Sequence, residues 1–167
     1  MIISAGPEAL ASVARELDDA NPYVRFRAAG VLRDAAQQLP DGAPGLAESA
    51  APLIRATADS EQSVAGLALD AVSKAVARPD VVKAIGDPAL GQSTAQACID
   101  AIDAMTAASS SGLINVARIA PALGPAAAPV RARLKAIAES DDPRIRGFAR
   151  QALQMMDRPG PPSGPPR

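Results

Sequence analysis

Histidine and tryptophan are absent from this chain of 167 residues, and cysteine occurs once, at Cys98. Without histidine, the commonest general base, the commonest zinc ligand and the Ser-His and Cys-His nucleophile pairs are all excluded. A single cysteine allows neither an internal disulfide nor a thiolate metal cluster. Aromatic residues are nearly missing as well: Tyr23, Phe26 and Phe148 are all there are. The interior must therefore be built from Ala, Val, Leu and Ile, and little flat surface is left for stacking bases, sugars or flavins. No phosphate-binding glycine motif is present, because "GPEAL", "SSSG" and "GDPALG" match neither GxxxxGK[ST] nor GxGxxG. Nothing points to a cofactor, a metal or a small-molecule substrate.

Charge and hydropathy exclude more. The formal net charge is −1, which gives no overall pull toward nucleic acid or an anionic membrane. No apolar run is long enough to span a bilayer. The opening "MIISAGPEAL" lacks the basic and apolar regions of a secretory signal, so the expected location is the cytoplasm. With 48% hydrophobic and 21% charged residues, the composition is that of an ordinary folded domain.

What is present is a sentence written twice. "LDDANPYVRFRAAGVL" begins at Leu17, and "ESDDPRIRGFARQAL" begins at Glu139. In the first, Asn21 caps a helix and Pro22 opens it, since proline at the first helical position gives up an N–H that has no partner there. Val24, Ala28, Val31, Leu32, Ala35 and Leu39 then recur with helical spacing on one face. In the second, Asp142 caps, Pro143 opens, and Ile145, Ala149, Ala152, Leu153 and Met156 form the face. A weaker copy between them carries Val64, Ala68, Ala71, Val72 and Ala75. Val24 and Val64 are 40 residues apart, and Val24 and Ile145 are 121 apart, close to three such periods. Each copy follows another amphipathic segment, marked by Leu10, Val13, Ala14 and Leu17, by Leu46, Ala50, Leu53 and Ile54, and by Val130, Leu134 and Ile137. The repeating unit is helix, tight turn, helix.

Four units are expected, at about 7–39, 45–77, 90–123 and 125–156. The third is placed as much by its position in the period as by pattern: Ala95, Cys98, Ile102 and Met105 mark its first helix, and "GLINVARIAPAL" is its second. Residues 78–89 exceed a repeat linker and are expected to hold a short extra helix on Val81, Val82 and Ile85. The tail 157–167, "DRPGPPSGPPR", has too many prolines to continue a helix and is expected to be disordered or extended.

These residues resemble the HEAT repeats, in particular the bacterial phycobilisome-lyase-type HEAT-like repeats. The resemblance rests on Asp19, Pro22, Val24, Arg25 and Ala28, and again on Asp141, Pro143, Ile145, Arg146 and Ala149. The middle copy keeps Asp59, Val64 and Ala68 but has Ala65 in place of the arginine. The likeness implies an all-α, right-handed α-α superhelix of about four helical hairpins, an armadillo-like solenoid. It also implies that Arg25 and Arg146 meet the acidic turn of a neighbouring unit as scaffold ion pairs.

The expected role is non-enzymatic: a scaffold or adaptor that binds another protein or peptide in the concave groove of the solenoid. The groove-facing candidates are Phe26, Gly30 and Arg33 in the first unit, Gly66, Asp70 and Ser73 in the second, and Gly147 and Arg150 in the last. Of these Phe26, Arg33, Asp70, Ser73 and Arg150 are the candidate partner-binding residues. An accessory subunit of an enzyme is the alternative implied by the lyase-type resemblance. A DNA-binding HEAT-like protein comes third, with the negative net charge and the shortage of aromatics against it. Asp100 and Asp103 lie three apart on a polar face and read as solvated carboxylates; Cys98 lies on an apolar stripe and reads as core.

Overall fold

The computed structural model describes residues 7–108 and 113–157, and among them there are helices and turns but no strand. The proline-rich tail from 158 onward and most of the turn expected at 108–112 lie outside the described residues. Nine α-helices follow one another among the described residues: α1 Pro7–Arg15, α2 Pro22–Gln38, α3 Ala50–Ala56, α4 Gln62–Val76, α5 Pro79–Ile85, α6 Pro88–Ala107, α7 Leu113–Ile119, α8 Ala128–Ile137 and α9 Pro143–Met156. They stack in two layers. One layer runs through α2, α4, α7 and α9, the other through α1, α3, α6 and α8, and each of these helices packs on its hairpin partner and on a neighbouring unit. The chain is thus an all-α solenoid of helical hairpins.

Local chemistry starts the helices where the sequence predicts. The Asn21 side chain accepts the Tyr23 amide at 2.9 Å, and Asp142 accepts the Arg144 amide at 2.8 Å. Asp87 does the same for α6, accepting the Ala89 amide at 3.0 Å ahead of Pro88. Each cap satisfies an amide that the first turn of a helix leaves without a partner. The expected extra helix is present as α5, with Val81 and Ile85 buried and Val82 half-buried. The second helix of the third unit differs from expectation. It is α-helical only to Ile119 and continues as a 3₁₀ segment, Ala120–Ala127, broken at Gly124, whose φ is 53°. Pro121 cannot donate an amide to the α-ladder, so the helix tightens at that point.

The core is built of small side chains. Ala28, Ala29, Ala68, Ala71, Ala75, Ala149 and Ala152 are all at most 1% exposed, with Leu32, Leu53, Ile54, Val72, Ile102 and Leu134 filling between them. Val24 is only half-buried, because it stands at the rim of the stripe, whereas Val64 is fully enclosed. Buried hydroxyls donate to carbonyls three or four residues back: Ser49 to Gly45 in the turn before α3, Thr57 to Ile54 and Thr94 to Leu90, at 2.6–2.7 Å. None of the described helices is long and apolar enough to cross a membrane.

Gly91 shows how close the packing is between α6 and the segments beside it. A Cβ there would lie 2.8 Å from the Ile85 carbonyl oxygen and 3.3 Å from the Ala126 Cβ, and backbone cannot swing aside as a side-chain tip does. Gly91→Ala is therefore expected to destabilise the fold by about 1–3 kcal/mol, against the usual gain from alanine in a helix. Equilibrium urea denaturation measures this; an unchanged or raised midpoint would show that α5 and α6 are free to separate.

Candidate interaction groove

The exposed faces of α2, α4 and α9 form the candidate site, and an arginine clamp fixes how the first two stand together. Arg25, at the start of α2, donates from Nε and Nη2 to the two carboxylate oxygens of Asp59, at 2.6 and 2.9 Å. Its Nη1 donates to the carbonyls of Asp19 and Ala20, at 2.9 and 3.2 Å. One guanidinium thus joins the turn of its own unit to the acidic turn that precedes α4. The planar fork of arginine permits this; a lysine ammonium has no second parallel donor. Burial pushes the Asp59 carboxyl up, but the Arg25 hydrogen bonds, the Glu61 amide and the Arg25 charge together hold it below its ordinary value. The Asp59 partner in turn raises Arg25, against the opposing effect of burial. Arg146, at the matching place in α9, donates Nη1 to the Ser140 carbonyl at 3.0 Å, and no acidic turn meets it among the described residues. The expected scaffold pairing is present at Arg25, while at Arg146 only the contact to its own turn is made.

Aligning the second helices on Val24, Val64 and Ile145 places Phe26, Gly66 and Gly147 at one register. Phe26 is 38% exposed, and with Tyr23 at 64% it makes the only large exposed hydrophobic pair among the described residues. Both belong to the first turns of α2, and Arg27 Nη1 lies 3.5 Å from the Tyr23 hydroxyl. Gly66 and Gly147 are exposed, and a Cβ on either would meet nothing within 4 Å. At the register of the aromatic ring, α4 and α9 therefore carry no side chain. Gly30 behaves differently from the expectation for it. It is half-buried, and its Cβ would stand 3.5 Å from the Leu67 Cδ2, so it belongs to the seam between α2 and α4 and not to the open face.

The polar candidates are held by local bonds. Arg33 donates from Nε and Nη2 to Asp34 Oδ1, at 3.0 and 2.6 Å, with both side chains partly open to solvent. Asp70 pairs with Lys74 one turn on, at 2.6 Å, and the Ser73 hydroxyl donates to the Leu69 carbonyl at 2.8 Å. Exposed pairs of this kind add little to folding, and they keep their outer lone pairs and donors available to a partner. Arg150 is exposed, but its register is that of Ala29 and Leu69, so it stands on the flank of α9, beside the face that carries Gly147. Asp100 accepts Gln96 Nε2 at 2.8 Å, and Asp103 pairs with Arg133 at 2.6 Å, in keeping with solvated carboxylates. Cys98 is fully buried, and burial pushes its thiol up to about 12. No group of three potential metal ligands occurs among the described residues.

Sequence reasoning missed Arg78 and Asp80. Arg78, just ahead of α5, donates to the carbonyls of Ala36, Leu39 and Pro40 at 3.3, 2.8 and 2.7 Å, and so satisfies the C-terminal end of α2. Asp80 pairs with Arg78 at 3.1 Å and accepts the Gly42 amide at 2.7 Å. The Arg78 hydrogen bond, first, and the Gly42 amide hold its carboxyl below the ordinary range despite some burial. The only signal in the sequence was the Arg-Pro-Asp opening of α5, which marks a helix start but not a contact 42 residues away.

No family model matches this chain, and no curated protein matches it. Two solved structures are similar to it. One is a crystal structure of an engineered protein, at 18% identity and a TM-score of 0.40, covering 93% of this chain and 85% of the other. The second is a designed armadillo repeat protein, at 16% identity and a TM-score of 0.36, covering 93% and 89%. Likeness at that level transfers no binding property.

Two outcomes follow from this geometry. A carboxylate depressed in the folded state stabilises above its unfolded value, 3.8 for Asp59, and that contribution is lost as the pH falls through the lower folded value. Asp59→Asn should thus be less stable than wild type near neutral pH, with the gap in urea midpoint closing below about pH 4; a gap that persists in acid would assign the loss to packing. Gly66→Ala and Gly147→Ala, with room for the methyl, should each stabilise by up to about 1 kcal/mol in the same assay. Destabilisation by either would mean that the helix face is already covered.

Proposed function

We propose that this chain is a non-enzymatic interaction module of the HEAT-like kind, a scaffold or adaptor that binds another protein or peptide across the open faces of α2, α4 and α9. The observation that carries the reading is Phe26: an aromatic ring partly exposed on a rigid helix, in a chain with two other aromatic residues. An exposed ring loses water readily when a partner covers it, and aromatic anchors flanked by arginine dominate many interfaces. Arg33 lies two turns further along the same face and supplies a fork for a carboxylate or a carbonyl. Asp70 and Ser73 on α4 offer acceptors beside it, and the open Gly66 leaves room for a partner's backbone between them. Arg150, on the flank of α9, borders this surface at its far end. A folded module with this role belongs in the cytoplasm, and its partner is a polypeptide rather than nucleic acid or a small molecule.

The test separates binding from folding. Phe26→Ala and Arg33→Ala should change unfolding free energy by less than about 0.5 kcal/mol, because neither side chain is core. Each should weaken capture of the native partner, by about tenfold or more for Phe26→Ala if the ring is enclosed at the interface. Leu32→Ala, in the same helix but fully buried, should instead cost about 2–5 kcal/mol of stability. Affinity capture from the native host with the three variants decides: if Phe26→Ala and Arg33→Ala stay folded and capture as wild type does, the groove is not the interaction surface.

A further inference from the structure

We propose that a second copy of this chain docks end to end on the outer flank of α9, with Arg146 clamping the acidic turn at Asp18 and Asp19 of that copy. The two halves of the inter-unit clamp are both present, one at each end of the stack. Asp19 and Asp59 each precede the aligned valine, Val24 or Val64, by five residues. Each folds its Oδ1 onto the amide two residues ahead: Asn21 at 2.7 Å for Asp19, Glu61 at 2.8 Å for Asp59. Asp59 then receives Arg25, whereas among the described residues no cation bonds the Asp19 carboxylate. At the far end, Arg146 repeats the half of Arg25 that faces its own turn, with Nη1 on the Ser140 carbonyl at 3.0 Å against 2.9 Å from Arg25 to Asp19. The donors that Arg25 gives to Asp59 have no carboxylate at Arg146 among the described residues.

The flank around Arg146 is charged to match. In α2 the corresponding register holds Ala29, Leu32 and Ala36, all buried. Along α9 and its C-cap it holds Arg150, Leu153 and Asp157, and Arg131 of α8 pairs with Asp157. With Arg131 paired to Asp157, Arg146 and Arg150 are the cations without a carboxylate among the described residues on this flank, which would meet the exposed Asp19, while the turn before α9 adds the exposed Glu139 and Asp141. Such a polar face supports weak association that salt screens, and not a permanent dimer. The contact is head to tail, so assembly continues past two copies.

Sedimentation equilibrium of the full chain at low salt tests this. The weight-average mass should climb with concentration past the dimer value, with half-association at about 0.1–1 mM, and should fall back to the monomer in high salt. Asp19→Asn keeps an oxygen for the Asn21 amide and removes the charge; it should weaken association about tenfold while the melting temperature is unchanged. Arg146→Glu and Asp19→Arg should each fail to associate alone, because each sets like charges against one another at the contact. A mixture of the two should associate, since the carboxylate introduced at position 146 then meets the guanidinium introduced at position 19. A chain that remains monomeric up to about 1 mM overturns the proposal, as does association indifferent to Asp19→Asn. Retention on heparin that depends on Arg146 in a chain that stays monomeric would assign the flank to a polyanion instead, and would overturn it too.

Discussion

The close approach of α2 to α4 is the constraint on which the rest of the stack depends. The buried residues of both helices are mostly alanine, so burial requires a neighbour whose backbone comes near. Ala29, Gly30 and Ala36 on α2 permit this, and Leu67 of α4 reaches in to meet Gly30. Small side chains lose little rotamer freedom on burial but contribute little area apiece, and the stability must accumulate over many contacts. An array built this way is stable through its junctions more than through its units. The spacing of α2 and α4 is therefore set by the junction, where Gly30 meets Leu67.

Arginine does at the turns what alanine does in the helices. Arg25, Arg78 and Arg146 each direct donors at backbone carbonyls where a helix or turn ends, and two of them add a carboxylate as well. Carbonyls at such ends have no partner within the helix. A guanidinium can satisfy several at once and still hold an acid, so it sets both distance and orientation between units. Arg78 also explains why the insertion containing α5 stays with the stack: it is fastened to the C-terminal end of α2.

Much of this was legible in the sequence, and the exceptions share a cause. Periodicity found the stripes of Val64, Ala68, Val72 and Ala75 because each helix repeats its own pattern toward its hairpin partner. It also found α5 from Val81 and Ile85 between proline and glycine breakers. Ala29 and Ala36 were passed over since they serve the flank toward the next unit, and alanine reads alike on either face. Gly30 reads as open-face from its register because a glycine carries no apolar side chain to mark a seam. The Arg25 clamp was legible only through resemblance, because its partner lies 34 residues on. Arg78 had no such guide. The conversion of the helix after Ile119 to a 3₁₀ segment follows from Pro121, a local signal that the expected period of the third unit had overridden.

Cys98 adds something to the molecule beyond filling a gap. Its thiol is enclosed near the centre of α6, the longest described helix, in the layer that packs on α3. With its pKa at about 12, the folded state holds almost no thiolate at neutral pH. A thiol-reactive dye can label it only when α6 lifts away from its neighbours, so the labelling rate is a clock for that opening. Because the chain holds no second cysteine, the clock has a single hand, and it reports the middle of the stack without touching either end.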